Sequence, residues 1–398
     1  MFYSLFLYPL HLQRTLWPVI VAQAWLTAWT LSVLLRCVLP GAPDWALPAL
    51  AAALSLATPL PWVVCQIMPD CFTGLLVIVL MLLILHAARL GRGEGIALAA
   101  LGVLAVAVHT SHVPLALGLI AVLMPLRRML GAEGRLGCQA VARIVAVPAL
   151  AVCAMMAVNL AGHGRAAVAP FGNVFLLARV LYDGPGMAAL DRRCPAVHWR
   201  LCPYVGQFPP DSDHFLWDQQ SPLWRAGGPK AVSLEADAII MAALRDAPSD
   251  SLGRYVGNVT DQLTRFATGD GLQPWPSTVR PVIARGFPAS ELRAYDASRQ
   301  SGGLPLIPES LLRLHRAAAI VGLAALCVMP ILARRRLVAG LAVAVLLALL
   351  GNAMVTGGLS QPHDRYQARL IWLAVASPLL AAPLLLQACR RRTEALPA

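Results

Sequence analysis

The sequence predicts an all-α polytopic membrane protein with about nine transmembrane helices and one extracytoplasmic α-rich insertion. Three observations predict it. Of 398 residues, 58% are hydrophobic and only 13% charged, against about 25% charged in an average soluble domain. The mean hydropathy is +0.66, so the excess apolar surface must face something other than water. Several apolar runs approach the ~20 residues that cross a bilayer core as a helix. Such runs must be helices or a closed barrel, because no water satisfies their backbone. Leu and Ala dominate and strict alternation is absent, which selects helices.

The runs fall roughly at 16–36, 46–66, 71–90, 95–112, 113–126, 139–160, 314–333, 337–356 and 370–388. The fifth is short and follows its neighbour without a clear loop, as half of a broken hairpin would. The opening, Met1 to Gln13, lacks the charged n-region and cleavage site of a signal peptide and reads as a helix or an interfacial segment.

The net charge is +12. A basic chain can be a nucleic-acid binder, but the Arg residues form no single stripe. Arg36, Arg89, Arg92, Arg127, Arg128, Arg135, Arg334–Arg336 and Arg390–Arg392 stand at the ends of apolar runs. A single topology puts them all inside, with the N-terminus and the insertion outside and the C-terminus in the cytoplasm. The expectation is a multi-pass protein of the inner (plasma) membrane that meets lipid and no nucleic acid. Three parts follow: N-terminal spans at 1–160, the insertion at 161–312 and C-terminal spans at 313–398.

The insertion carries most of the Asp and Glu, together with turn signals and enough Trp to pack a small core. Ser233–Arg245 and Ser251–Thr268 look helical, with Ser233 as an N-cap of the first. Most of the nine Cys lie in or beside apolar runs. Cys194 and Cys202 flank seven residues of the insertion, a spacing that permits a disulfide in an oxidising compartment. A metal reading is weak there, because His198 is the only nearby imidazole. Asn258-Val259-Thr260 matches a glycosylation acceptor, a motif frequent by chance.

The clearest chemical constellation is Gln361-Pro362-His363-Asp364-Arg365-Tyr366-Gln367-Ala368-Arg369, before the last span. Arg365 and Arg369, four apart, share a helix face. Two guanidiniums at a membrane surface suit a phosphate or pyrophosphate, and Tyr366 stands between them. The plain alternative is interfacial anchoring. His363 and Asp364 are titratable candidates beside them. Asp70, after Pro69, enters the third run where it either caps a helix or serves as an acid at membrane depth. His109 and His112 flank a helix break, where hydrogen bonding is a simpler role than metal ligation. No P-loop, dinucleotide fingerprint, nucleophile elbow or zinc pattern appears.

Three segments resemble the GT-C class of integral membrane glycosyltransferases, specifically the bacterial dolichyl-phosphomannose-transferase-like group. They are Phe2-Tyr3-Ser4-Leu5-Phe6-Leu7, Met68-Pro69-Asp70-Cys71-Phe72-Thr73-Gly74-Leu75 and His363–Arg369. The resemblance implies sugar transfer from a polyprenyl-phosphate donor to a lipid, glycan or protein on the external face. Arg365, Arg369 and Tyr366 would then bind the donor phosphate. Asp70, His363 and Asp364 would be the candidate catalytic groups. The family's catalytic carboxylate lies in a first external loop, and this sequence begins where that loop would be ending. The resemblance leaves room for a divalent metal, but no ligand set is visible and no other cofactor is implied. A transporter or flippase, or a non-catalytic assembly protein, are the alternatives. A transporter predicts polar or broken spans and inverted repeats, and these spans hold few ionisable groups.

Overall fold

The computed structural model describes residues 2–272, 274–332 and 336–393. Among these residues the protein is helical throughout, with no strand. In chain order the helices are α1 (Phe2–His11), α2 (Trp17–Val38), α3 (Ala46–Ala57), α4 (Leu60–Cys65), α5 (Cys71–Leu85), α6 (Arg92–Ala107), α7 (His112–Leu126) and α8 (Cys138–His163). The polar segment then forms α9 (Gly172–Tyr182), α10 (Pro185–Arg193), α11 (Ser212–Trp217), α12 (Pro222–Arg225), α13 (Gly228–Asp246), α14 (Pro248–Thr264), α15 (Pro276–Gly286) and α16 (Ala289–Asp296). The chain closes with α17 (Glu309–Leu332), α18 (Arg336–Leu359) and α19 (Asp364–Thr393).

Among the described residues, five helices are long and apolar enough to cross a membrane: α2, α8, α17, α18 and α19. The remaining expected runs are shorter or interrupted. Positions 46–66 divide into α3 and α4 because Pro59 and Pro61 withdraw backbone donors, and Thr58, which precedes a proline, is extended (ψ 164°). Helix α5 has 15 residues, about 22 Å of rise, short of the ~30 Å hydrocarbon core. All of its residues are buried. It is the axis of the main core, and α2, α6, α7, α18 and α19 pack around it. The expected break between the fourth and fifth runs lies at Val108–Ser111.

The basic helix ends gather at one end of the bundle. Arg36 pairs with Glu94, and Arg89 with Glu133 and the Cys37 carbonyl. Arg127 donates to the carbonyls of Ile84 (3.3 Å) and Gly134 (2.9 Å). Gly131 lies against the backbone of Arg336 and Leu337. Arg334 and Arg335 lie outside the described residues.

The segment between α8 and α17 has its own hydrophobic core, built by α9 to α13 around Leu177, Leu190, Phe215, Leu223 and Ile239. Cys194 and Cys202 form a disulfide at the edge of that core. Two boundaries differ from expectation. Helix α13 starts at Gly228, after Gly227 in the left-handed region (φ 105°), with Pro229 in its first turn. Ser233 is therefore a buried residue of the helix and not its cap. Helix α14 runs from Pro248 to Thr264, because Pro248 suits a first helical position.

Candidate functional site

The end of the bundle opposite the basic cluster holds the sequence-singled residues. Helix α19 begins at Asp364, and its first two turns project Arg365 and Arg369 to the same side. Both reach Asp70. Arg369 Nη1 donates to Asp70 Oδ1 at 2.8 Å, and Arg365 Nε lies 3.5 Å from Asp70 Oδ2. Asp70 occupies the residue before α5, yet its carboxylate makes no cap bond there. The capping expectation is replaced by an ion pair between residues 299 apart.

Arg369 is wholly buried. Its Nη2 donates to Asn352 Oδ1 at 2.8 Å and lies 3.5 Å from Ser111 Oγ. Asn352 in turn donates to Gln367 Oε1 (2.6 Å) and to the Tyr366 carbonyl (2.7 Å). A buried charge needs this degree of pairing to exist at all. Arg365 is different. Its side chain is 31% exposed, and it lines a cavity that Arg369 does not reach. Tyr366 lies under both guanidiniums, with its ring centroid 5.2 Å from Arg365 Cζ and 5.4 Å from Arg369 Cζ.

The cavity measures about 630 Å³. Arg365, Tyr366, His109 and Ser111 line part of it, and Phe2, Val108, Met155, Val158, Val355 and Leu359 form an apolar wall. His163 and Asn159 at the end of α8 add polar groups, and the insertion contributes Phe175 and Trp217 among others. Among the lining residues none is a carboxylate. His109 hydrogen-bonds Ser111 Oγ through Nδ1 at 2.7 Å. His112 faces inward, between Thr73 Oγ1 (2.7 Å) and the Ala105 carbonyl (2.6 Å). The two imidazoles thus serve the helix break, and no group of three or more metal-ligating side chains occurs among the described residues.

His363 and Asp364 lie outside the cavity lining and bind the last loop to the insertion. His363 Nε2 is 3.4 Å from Asp213 of α11, and its Nδ1 is 3.8 Å from Asp270. The hydrogen-bonding Asp213 carboxylate raises the pKa of this imidazole above its ordinary value, against a smaller opposing effect of burial; Asp270 adds to the rise and Arg365 opposes it. Asp364 Oδ1 accepts from the Ala267 amide at 2.7 Å, and Asp270 Oδ2 accepts from the Arg365 amide at 3.1 Å. Gln262 of α14 bonds His363 at both its amide (3.0 Å) and its carbonyl (2.8 Å). Residues 267–272 therefore form a strap over Asp70, Arg365 and Arg369. Gly271 packs so closely on Arg365 that a Cβ would collide with its side chain and crowd Gln66.

Asn258, the glycosylation-type asparagine, donates to Asp183 at 3.2 Å. Sequence reasoning passed over Asn352 and Gln262. Asn352 carried a usable signal, as a lone amide in an apolar span, where polar side chains bond neighbouring helices. Gln262 carried none.

No protein-family model matches the chain, and no curated protein or solved structure matches it at a significant level.

Proposed function

We propose that this is a glycosyltransferase-like membrane protein that holds a polyprenyl-phosphate-linked sugar in the 630 Å³ cavity. The observation that carries the reading is one cavity combining a long apolar wall with a partly exposed guanidinium, Arg365. An isoprenoid chain fits the wall, and the phosphate fits Arg365, beside Tyr366 and His109. Arg369 is a positioning residue in this reading. It neutralises Asp70 and fixes the turn that presents Arg365. The five long helices cross the inner (plasma) membrane, and α3 with α4, α5, α6 and α7 complete nine crossings; the short α5 does so inside the bundle, where its buried residues meet protein and not lipid. The insertion and the cavity then face outside, with the C-terminus in the cytoplasm, as the gathered Arg residues favour.

A second reading is favoured by one observation. The cavity lining holds no carboxylate, and Asp70 is already engaged by two guanidiniums. General-base transfer needs a carboxylate or equivalent within hydrogen-bond reach of the acceptor hydroxyl. A protein that binds the lipid phosphate without transferring the sugar meets the same geometry. Purified full-length protein, titrated with a polyprenyl phosphate and with the matching polyprenol, tests both. Preference for the phosphate, lost in Arg365→Gln, supports the site, and equal binding of the two lipids removes it. Sugar transfer to water or an added acceptor then separates enzyme from binder.

A further inference from the structure

Helix α14 has three distinct faces. Tyr255, Asn258 and Gln262 pack onto α18 where Gly357 and Gly358 allow close approach. A Cβ on Gly358 would overlap the Tyr255 ring, and one on Gly357 would overlap Gln262. The Tyr255 hydroxyl donates to the Met354 carbonyl at 3.2 Å. A second face is charged: Asp250 pairs with Arg254, and Asp261 with Arg265. The third face holds Leu252, Val256, Val259 and Leu263, which helical geometry gathers into an arc of about 60° opposite Asp250, Arg254 and Asp261. Leu252 is 64% exposed and Val256 53%.

A helix bathed in water on both free sides gains nothing from such a stripe. The helix that α14 packs on carries exposed apolar side chains of its own. Met354 stands one turn below Gly358 on the same face, with Leu350 a turn further on, and both are exposed. These residues lie on a helix long and apolar enough to cross a membrane.

We propose that α14 is an interfacial helix that rests on the bilayer beside α18, with Leu252, Val256, Val259 and Leu263 among the acyl chains. The charged face then points to water, the arrangement expected of an amphipathic helix at a lipid surface. The occupant is phospholipid, because α14 packs on α18, which is itself long and apolar enough to cross a membrane and exposes apolar side chains beside the contact. The inference rests on the reading of the long helices as membrane-crossing. It adds a consequence for the cavity: Gln262 grips His363 by both backbone groups, so the seat of α14 in the bilayer fixes the turn that carries Arg365.

The test uses the full chain in vesicles of phosphatidylethanolamine and phosphatidylglycerol, with photoreactive benzoylphenylalanine at single positions and mass spectrometry of the adducts. Val256→benzoylphenylalanine is the probe of the stripe, with Leu252→benzoylphenylalanine as a second variant should the first fail to fold. Asp261→benzoylphenylalanine probes the charged face. Val321→benzoylphenylalanine, at an exposed position of α17, reports whether the long helices meet lipid. The expected result is phospholipid adducts from the stripe and from 321, at least five-fold above those from 261. Adducts at 321 without adducts in the stripe overturn the inference alone, as does equal labelling at 261 or a stripe crosslink to a second copy of the chain. Absence of lipid adducts at 321 and in the stripe overturns the membrane-crossing reading with it.

Discussion

Arg369 and Asp70 form an ion pair excluded from solvent, with Nη1 and Oδ1 2.8 Å apart and the partner side chains 0% and 2% exposed. Removing Arg369 leaves the buried Asp70 carboxylate with only the longer contact to the partly exposed Arg365, at a cost of up to about 3–5 kcal/mol. Arg369→Met is therefore expected to lower the thermal unfolding midpoint sharply in detergent or lipid. The double variant Asp70→Asn with Arg369→Met should recover much of the loss. A double variant no more stable than the single one would mean that the pair is not the source of the defect.

Arg365 shares Asp70 with Arg369 but keeps a surface in the cavity. Charge-assisted hydrogen bonds contribute about 1.5–3 kcal/mol, roughly ten- to a hundred-fold in affinity. Arg365→Gln should weaken binding of a polyprenyl phosphate by that factor while shifting the unfolding midpoint little. Native mass spectrometry of the lipid complex, read beside a melting curve, distinguishes the two effects.

His363 supplies a pH dependence. Its pKa is raised in the folded protein, chiefly by Asp213. The charged imidazole faces Asp213 and Asp270, with Arg365 and the Tyr366 ring nearby. A raised folded pKa means that the stabilisation is fully present below the ordinary histidine value near 6.5. It fades as pH rises through the folded pKa. Protease resistance of the junction between the insertion and the last loop should thus fall between mildly acidic and alkaline buffer. In His363→Gln that slope should flatten, and an unchanged slope would assign it to another group.

The disulfide between Cys194 and Cys202 closes a short loop at the edge of the insertion's core. Loop-closure entropy for this span gives about 2–3 kcal/mol. Cys194→Ser with Cys202→Ser should make the segment between α8 and α17 more sensitive to protease while leaving the fragments from α5 and α18 intact. Equal loss in both regions would show that the two cores unfold together.

The helical class was legible because apolar runs and Arg placement are properties of short windows of sequence. The i,i+4 relation of Arg365 and Arg369 was legible for the same reason, and both side chains do reach one carboxylate. Their unequal fates were not. Whether a guanidinium faces a cavity or a core depends on Asp70, Asn352 and Ser111, which arrive from α5, α18 and the α6–α7 break. The break in the 46–66 run was missed although Pro59 and Pro61 carry it, and the shortness of α5 has no such signal, because its apolar pattern continues to Leu85 and beyond. The strap at 267–272 has no periodicity at all. Only the hydrogen bonds of Asp270, Ala267 and Gln262 to the last loop reveal it.

The distance along the chain between Asp70 and Arg369 also bears on biosynthesis. The carboxylate at the head of α5 emerges from the ribosome long before the helix that neutralises it. Until α19 arrives, the central helix carries an unpaired anion at its end, and the cavity has no cationic wall. A chain that stops before α19 therefore lacks both the partners of Asp70 and the cationic side of the cavity.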